Sequence, residues 1–425
     1  MEVGLPRGTR DYSAGEAIVL QGIMVSIEET FRRFGFSPID TPGIELLDTL
    51  NGKAYGEDAK KEIYVIEGGA EGLRYDFTVP LARHMAMKRD IPLPFKRYQI
   101  GKVWRMDEPQ KMRAREFIQA DVDIVGSNEP VSDAEIICAV ALALEGSGIS
   151  EYKIIINSRV ILDALMGAFG VPEGRRIEAI RALDKIEKIG REEVSAQLVG
   201  LGQEAGKAER MLDFVLEAGG NEARLDKLSK TVAGALQSIA NIKEVLDRVS
   251  LYGIKGEIVV DFSLARGLDY YTGGVWEFCV YKDGKRLPSI ASGGRYDRLM
   301  EMYSKNPVPA VGAAIGVSRV FEVVKGMELK NTYAKIHVSY IKKENQDYGI
   351  EVAVALRAAG IYTDLELTER ALSKQLEYVN SMSIPYAIIV GNREREEKKV
   401  KLRNMLTGDE EMLGIEEVIS RMKNQ

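Results

Sequence analysis

The chain has 425 residues, a formal net charge of -6 and a pI near 5.5, so it can form two or three domains and lacks the overall basic charge of a sequence-blind nucleic-acid binder. Two cysteines, Cys138 and Cys279, exclude a disulfide framework, and two histidines, His84 and His337, exclude a clustered zinc site. No apolar run approaches the roughly 20 residues of a membrane span, and the N-terminus lacks a signal-peptide apolar region, so we expect a cytoplasmic protein.

The N-terminal segment begins with an amphipathic helix and continues with short extended runs. Apolar residues recur at helical spacing between Ala14 and Phe34, which predicts a helix with one packed face. Glu62 to Glu67 has strand-like composition, and a glycine-rich turn joins it to a second extended run, Leu73 to Pro80. We therefore expect two short strands before residue 81.

The run from Leu73 to Pro80 places polar groups on one strand face. Asp76 and Thr78 are two residues apart, so in a strand their side chains point the same way. Pro80 cannot donate to a central ladder, so the strand should end there and a helix should begin near Leu81. Taken alone, Asp76 is interpreted as a partner of that helix N-terminus or as a surface acid, with ligand binding as the alternative.

Two strand-like runs joined by a charged loop lie between Lys96 and Val125. In the second run apolar residues alternate with Gln119, Asp121 and Asp123, which predicts a strand with one face on a core and polar groups on the other. Antiparallel pairing of the two runs would bring Arg105 towards Gln119 and Asp123. A guanidinium suits a phosphate, and a carboxylate with an amide suits an ammonium, so this sheet surface could hold an anion and an amine together.

The middle of the chain changes from mixed to helical character. Helix, strand and helix are expected over Ser132 to Glu145, Tyr152 to Asn157 and Arg159 to Phe169. From Pro172 to about Ser250 the composition and periodicity are helical throughout, which predicts an all-helical inserted domain. Its basic residues are interspersed with acids, which is typical of a solvated helix face. They are Arg175, Arg176, Arg181, Lys185, Lys188 and Arg191.

The strand pattern returns at Glu257 to Phe262, and Asp283-Gly284 predicts a hairpin. The run from Ala310 to Arg319 leads from a strand into a helix, so Arg319 would lie in a first helical turn, where the helix dipole also favours an anion. Glycines at 293, 294, 312 and 316 let backbone approach a ligand. Three arginines, at positions 105, 266 and 319, are thus predicted to face a common sheet.

The C-terminal part, from about Asn331 to Gln425, alternates strands with helices, which is the pattern of a small α/β domain. Its most basic stretch is interrupted by three glutamates, so a solvated face and a nucleic-acid backbone contact are both open interpretations. The basic residues are Arg393, Arg395, Lys398, Lys399, Lys401 and Arg403.

Several of these segments together resemble a known family. The strands around Arg105 are similar to the second class II aminoacyl-tRNA synthetase motif, the run ending in Arg319 is similar to the third, and the surroundings of Pro42 are similar to the first. ARGLDYYTG (265–273) and SGGRYD (292–297) resemble the two signatures of the histidyl-tRNA synthetases, and LRYDFTVP (73–80) resembles the archaeal and eukaryotic form of their amino-acid loop. The resemblance covers essentially the whole chain.

The resemblance implies an α+β catalytic domain on a mixed, mainly antiparallel sheet with helices, an all-helical insertion and a C-terminal α/β anticodon-binding domain. The expected boundaries are 1–325 for the catalytic domain, interrupted by the insertion at 172–250, and 331–425 for the C-terminal domain. It also implies a homodimer whose partners are L-histidine, ATP and tRNA(His). A tRNA contact by the basic residues of the insertion is the alternative to a solvated face.

The implied reaction has two steps. The histidine carboxylate attacks the α-phosphorus of ATP to give histidyl-adenylate and pyrophosphate, and the histidyl group then passes to the terminal ribose of tRNA. Neither step needs a protein nucleophile, so positioning and charge neutralisation should carry the reaction. Magnesium would arrive with ATP, and we expect neither a protein cluster of metal ligands nor zinc.

By resemblance, Arg105 and Arg266 are the catalytic residues, which stabilise the α-phosphate and the substrate carboxylate. The implied ATP-binding residues are Arg105, Asp107, Arg113 and Arg319. The implied histidine-binding residues are Asp76, Phe77, Thr78, Arg105, Gln119, Asp123, Arg266, Tyr270, Tyr271 and Tyr296. A neutral imidazole has one donor and one acceptor, so buried hydroxyls and carboxylates can match both of its nitrogens.

Two positions depart from the family pattern, and two rival functions stay open. Asp107 stands where the second motif commonly has Glu, and Ser318 replaces the acid that commonly precedes the arginine of the third motif. One rival is the synthetase-like regulatory subunit of ATP phosphoribosyltransferase, which usually lacks the C-terminal domain and parts of RGLDYYT. The other is a class II synthetase for another amino acid, which the paired tyrosines beside Arg266 disfavour.

Overall fold

A computed structural model describes residues 3–52, 61–88, 90–265, 270–282, 284–303, 308–325 and 331–424. The chain divides into two compact units, Met1–Arg10 with Gly22–Lys325 and Asp11–Gln21 with Gly326–Gln425. Within the described ranges, no helix is long and apolar enough to cross a bilayer.

The first unit is built on an eight-stranded sheet. Its strand order is β1-β4-β5-β12-β11-β8-β6-β7, with parallel pairs β1/β4 and β6/β7 and antiparallel pairs elsewhere, which confirms the mixed, mainly antiparallel sheet. The strands of this unit are β1 (Ser37–Pro38), β2 (Ile44–Leu46), β3 (Glu71–Leu73), β4 (Phe95–Trp104), β5 (Glu116–Val125), β6 (Lys153–Ser158), β7 (Glu257–Val260), β8 (Gly274–Cys279), β9 (Tyr281–Lys282), β10 (Lys285–Arg286), β11 (Ala291–Arg295) and β12 (Ala310–Gly316).

Helices pack around this sheet. The helix Pro130–Gly146 contacts β5, β11 and β12, and most of its apolar residues are buried, whereas Val131 at its start is exposed. The other helices of this unit are Leu47–Leu50, Thr78–Met87, Arg159–Ala168, Asp297–Tyr303 and Val317–Val324, and the helix Ala14–Arg33 belongs to it from Gly22 onward. The predicted helix over 14–34, the strand and helix over 152–169 and the hairpin at Gly284 are confirmed.

The described secondary structure between Glu173 and Ser250 is entirely helical, as predicted. Its elements are Glu173–Arg175, Arg176–Leu183, Ile186–Ile189, Arg191–Gly200, Ala205–Leu216, Asn221–Thr231, Ala233–Ala235 and Leu236–Ser250. Asn221 docks this segment on the sheet edge, since its amide donates to the Ile258 carbonyl and accepts from the Val260 N–H, both at 2.8 Å. The edge strand β7 is thereby covered.

The second unit contains a five-stranded sheet of order β14-β13-β15-β16-β17, in which β13 pairs in parallel with β14 and β15. The strands are β13 (Ile336–Tyr340), β14 (Thr363–Leu365), β15 (Tyr386–Val390), β16 (Val400–Asn404) and β17 (Glu410–Leu413). The helices are Gln346–Ala358, Leu372–Ser381, Asn392–Glu397 and Ile415–Lys423, with a 3-10 turn at Lys343–Asn345. The α/β pattern is confirmed; β17 and the helix Asn392–Glu397 were not predicted, because both are short and charged.

Two predicted strands are wrong. Over 61–67 the structure has only an isolated bridge between Val65 and Gly72. The run after Leu73 is not a strand either, since β3 ends there and the next helix begins at Thr78. Pro80 lies in the first helical turn, where its missing N–H costs nothing, so it is compatible with a helix that starts earlier than Leu81.

Candidate functional site

The polar face of β5 forms the floor of the candidate site. In the register of the sheet, Asp123, Asp121 and Gln119 lie opposite Arg97, Gln99 and Gly101 of β4. On the other side the same three residues lie opposite Gly312, Ala314 and Gly316 of β12. A carboxylate-rich surface is thus bordered on one side by the side chains of β4 and on the other by small residues.

Two glycines make room for functional side chains above this floor. A Cβ on Gly312 would lie 1.9 Å from an oxygen of the Asp123 carboxylate, and a Cβ on Gly294 would lie 2.7 Å from ring atoms of Tyr271. Contacts this short are not tolerated, so any larger residue would displace the carboxylate or the ring. The predicted role of these glycines, to let groups approach the backbone closely, therefore has a specific steric basis.

Asp123 is the centre of a buried cluster. Its Oδ1 accepts a hydrogen bond from the Tyr296 hydroxyl, and its Oδ2 lies 2.6 Å from Nη2 of Arg97. Tyr270 lies beside both other tyrosines, with its ring centroid 4.7 Å from that of Tyr271 and 6.0 Å from that of Tyr296. The structure brings together Asp123 and the three tyrosines expected to bind histidine, all buried.

Burial and crowding shift the pKa values of this cluster. Burial raises the pKa of Asp121 well above its ordinary value, and the nearby Asp123 and Asp76 raise it further, while Arg97 opposes the shift. Burial also raises the pKa of Asp123, against the opposing effects of Arg97 and the Tyr296 hydrogen bond. For Tyr296, burial and the Asp123 carboxylate raise the pKa, so this hydroxyl stays a donor. Burial therefore favours the protonated form of the Asp121 carboxyl group.

The segment from Asp76 to Thr78 caps a helix beside this cluster. The Asp76 carboxylate accepts a hydrogen bond of 3.1 Å from the Val79 N–H, so Asp76 is the helix N-terminal partner that the sequence suggested. Phe77 is fully buried, and its carbonyl accepts a hydrogen bond of 3.3 Å from Arg97. Thr78 begins the helix and is only partly buried.

Arg105 lies just beyond β4 and is half-buried. Its Nη2 donates to Oε1 of Gln119 at 3.3 Å, its Nε donates to the Tyr75 carbonyl at 3.0 Å, and its guanidinium lies 5.2 Å from the Phe117 ring centroid. The predicted approach to Gln119 is confirmed. Asp123, the other expected neighbour, is paired with Arg97 and Tyr296.

The loop between β4 and β5 carries Asp107 and Arg113 as a bidentate pair. Nε and Nη2 of Arg113 donate to the two oxygens of Asp107 at 2.7 and 2.8 Å. Oε1 of Glu62 lies 3.9 Å from Nη2 of Arg113. Burial raises the pKa of Glu62, and the negative charge of Asp107 raises it further. Arg113 is 43% exposed, so its far side is open to a ligand.

Arg319 reaches the same loop from the helix Val317–Val324. Its Nε donates to the Met112 carbonyl at 3.2 Å and its Nη1 donates to the Ser289 carbonyl at 2.7 Å. Ser318 accepts a hydrogen bond of 3.0 Å from the Ile118 N–H, so the residue that departs from the family pattern fastens the helix start to β5. Arg319 and Arg105 therefore flank the Gln119 end of the floor.

The predicted catalytic residue Arg266 lies outside the described residues. Tyr270 and Tyr271, which follow it by four and five positions, lie in the cluster described above. Among the described residues there is no group of three or more His, Cys, Asp or Glu side chains that could hold a metal ion.

The comparison with family models covers most of the chain. Residues 8–320 match the model described as histidyl-tRNA synthetase, and residues 335–425 match the model described as anticodon binding domain. The chain belongs to the histidyl-tRNA synthetase family. Its fold and its order of motifs are those expected from the sequence.

Two histidine–tRNA ligases align with nearly the whole length of the chain. The histidine–tRNA ligase of Phocaeicola vulgatus is 34% identical, with 99% of each chain covered. The histidine–tRNA ligase of Korarchaeum cryptofilum is 37% identical, with 94% of each chain covered. A crystal structure of histidyl-tRNA synthetase from Nostoc sp. PCC 7120 matches with a TM-score of 0.88 and 27% identity, covering 100% of this chain and 99% of that one.

Against this family background, sequence reasoning missed Arg97. It lies two residues before Gln99 on the face of β4 that carries Arg105, so the same alternation, continued by one step, would have placed it there. No local feature shows that its side chain is wholly buried against Asp123, because that contact depends on the register between two strands.

Proposed function

We propose that the chain is a histidine–tRNA ligase, which activates L-histidine with ATP and transfers the histidyl group to tRNA(His). The observation that carries the proposal is the alignment with histidine–tRNA ligases over 99% and 94% of the chain. The geometry supports it, because buried carboxylates and hydroxyls lie at one end of the sheet face and arginines at the other.

At the amino-acid end, Asp123, Asp76, Thr78 and Gln119 would surround the substrate ammonium. The crowding of buried carboxyl groups supports this assignment, since a substrate ammonium would favour the ionised form of Asp123. Tyr296 and Tyr271 would meet the two imidazole nitrogens, while Tyr270 and Phe77 would form the pocket walls. A substrate without those nitrogens would leave buried polar groups unpaired, which disfavours its binding.

At the phosphate end, Arg105 would contact both the carboxylate and the α-phosphate, and Arg266 would stabilise the same centre. Arg319 and Arg113 would bind the outer phosphates, and Asp107 would meet the adenine amino group. Negative charge grows on the phosphate oxygens as the carboxylate attacks, so fixed guanidinium groups lower the barrier. Mg²⁺ bound to ATP would supply further charge neutralisation there.

We also infer the larger organisation. The catalytic domain would be 1–325 with the insertion at 172–250, and the anticodon-binding domain would be 331–425. The protein would act as a cytoplasmic homodimer, without zinc. In the basic stretch near the C-terminus, Arg393 and Arg403 already pair with Glu397 and Glu410, so a tRNA backbone contact there would have to replace acidic partners.

The regulatory-subunit function remains the alternative. A solved structure described as an ATP phosphoribosyltransferase regulatory subunit/histidyl-tRNA synthetase from Bacillus halodurans C matches with a TM-score of 0.76 and 22% identity, which shows the shared fold alone. That match covers 89% of this chain, against 100% for the Nostoc structure.

Histidine-dependent exchange of pyrophosphate into ATP tests the proposal. A histidine–tRNA ligase exchanges with histidine and not with the other amino acids, and then charges tRNA(His). Exchange that depends on a different amino acid would identify another synthetase. No exchange with any amino acid would favour the regulatory function.

A further inference from the structure

The arginine behind the histidine pocket has an unusual environment. Arg97 is wholly buried near the start of β4, and a single nitrogen, Nη2, lies 2.6 Å from Oδ2 of Asp123 and donates to the Phe77 carbonyl at 3.3 Å. Burying a guanidinium is costly unless it is paired, so its presence needs a reason beyond packing. Arg97 joins the two parts of the chain that are assigned to the histidine ammonium.

Three carboxyl groups share the buried surroundings of Arg97. Asp76, Asp121 and Asp123 are all at least nine-tenths buried, and each acts electrostatically on another member of the group. Nε and Nη1 of Arg97, Oδ1 of Asp121 and Oδ2 of Asp123 have no hydrogen-bond partner in the described part of the chain, so Arg97 contacts Asp123 as an ion pair. Arg97 therefore acts on Asp121 through its charge and on Asp123 through direct contact.

The protonation state of Asp123 determines whether the pocket presents a hydrogen-bond acceptor or a donor to an imidazole. While Asp123 is ionised it can only accept, so the Tyr296 hydroxyl donates to it and leaves its oxygen lone pairs for a ring N–H. A protonated Asp123 could donate to Tyr296 instead, and the hydroxyl would then present its hydrogen to the ligand. Arg97 favours the first arrangement, because it opposes the rise in the pKa of Asp123 that burial causes.

We propose that Arg97 is a positioning residue that sets the hydrogen-bond polarity of the histidine pocket, by keeping Asp123 an acceptor for the Tyr296 hydroxyl and by fixing the Phe77 carbonyl. The proposal rests on the proposed ligase function. It assigns Arg97 no contact with substrate and no part in the phosphate chemistry.

The test compares Arg97→Met and Arg97→Lys with a matched control, Arg295→Met. Arg295 also forms a buried ion pair, with Asp133, and lies next to Tyr296 in β11 but on the opposite sheet face. The readouts are KM for histidine, KM for ATP and kcat in pyrophosphate exchange, with thermal midpoints measured alongside.

We expect Arg97→Met to raise KM for histidine about 10- to 100-fold, the range for loss of one hydrogen bond between the substrate and a charged group, and to change KM for ATP less than about threefold. Arg97→Lys keeps the charge and should recover part of the loss. Arg295→Met should lower the thermal midpoint and leave KM for histidine within about threefold, because its ion pair does not reach the pocket.

Equal effects of Arg97→Met and Arg295→Met, with KM for histidine unchanged in both, would overturn the proposal. If Arg97→Met does not fold, the double variant Arg97→Met with Asp121→Asn is used instead. It removes one guanidinium and one carboxyl group together. A wild-type KM for histidine in the double variant would also overturn the proposal. Absence of histidine-dependent exchange in the unmodified chain would instead overturn the ligase function, so the two failures are distinguishable.

Discussion

The two ends of the sheet face hold their charged groups in different ways. At the histidine end, Arg97 and Asp123 are 0% and 3% exposed, and their partners are fixed side chains. At the phosphate end, Arg105 and Arg319 are half-buried, and each donates a hydrogen bond to at least one backbone carbonyl. Arg113 is 43% exposed and is paired with the Asp107 carboxylate. A buried, paired group is already in place for its ligand, whereas an arginine on a neutral carbonyl can exchange that partner for a phosphate.

This difference indicates that the two ends of the sheet face have separate functions in the proposed reaction. Selection of the amino acid would depend on a rigid pocket. Catalysis would depend on Arg105, whose hydrogen bonds go to a carbonyl and an amide oxygen and which would form a stronger one with a phosphate. Each end therefore has its own kinetic parameter, KM for histidine at one end and kcat or KM for ATP at the other.

The largest effect is expected for Arg266→Ala. Removing a cation from the developing negative charge should lower exchange on the order of 10²- to 10³-fold or more, while histidine affinity changes little. Exchange rates and equilibrium binding of histidine, measured on the same preparation, check this. An unchanged exchange rate would refute the assigned catalytic role.

The next largest effect is expected for Tyr296→Phe at the histidine end. The ring remains, but the hydrogen bond to Asp123 is lost, which is worth about 1.5–3 kcal/mol when the acceptor is charged. We expect KM for histidine to rise about 10-fold or more, with KM for ATP nearly constant. A larger change in KM for ATP than for histidine would contradict the separation of the two ends.

Arg113→Ala should give a smaller effect, and on KM for ATP instead of KM for histidine. Arg113 is partly solvated and contacts an outer phosphate in the proposal, so we expect KM for ATP to rise about 5- to 10-fold and KM for histidine to stay constant. The matched control is Lys102→Ala, which removes an exposed cation paired with Glu116 on β5. Similar KM values for ATP in the two variants would rule out a phosphate contact by Arg113.

The smallest expected effect is on the pH dependence of folding stability in the absence of ligand. The folded-state pKa of Asp121 is raised, so the folded chain holds this proton more tightly than the unfolded chain does. Its contribution to stability is therefore favourable below the unfolded pKa of about 3.9 and is lost as pH rises through the raised folded pKa.

Asp121→Asn removes this titration. Thermal unfolding of the wild type and the variant from pH 4.5 to pH 8 should show a stability difference, wild type minus variant, that decreases as pH rises. A difference that grows with pH would mean that Asp121 is stabilised in its ionised form.

Much of the catalytic sheet was predictable from period-two patterns. The alternation in β5 and β4 predicted a polar face and the approach of Arg105 to Gln119, and the glycines at 294 and 312 predicted close approach. These features are local, or they follow from pairing adjacent strands. The small C-terminal α/β unit was predictable for the same reason.

The remaining features depend on contacts between distant segments. The helix Thr78–Met87 was predicted, but its start was placed near Leu81 because Pro80 reads as the end of a strand, whereas Asp76 and the first helical turn accommodate that proline. The Arg97–Asp123 pair was missed because only the register and the depth of burial distinguish a buried arginine from a surface one. The fastening of Ser318 to Ile118, 200 positions apart, has no sequence pattern.

The most direct test is a crystal structure of the chain with a non-hydrolysable histidyl-adenylate analogue. We predict a single ligand across the β5 face, with its imidazole within hydrogen-bond distance of Tyr296 and its phosphate mimic at Arg105. A ligand bound elsewhere, or one that leaves Arg105 on Gln119 and the Tyr75 carbonyl and contacts neither end of the face, would contradict the account.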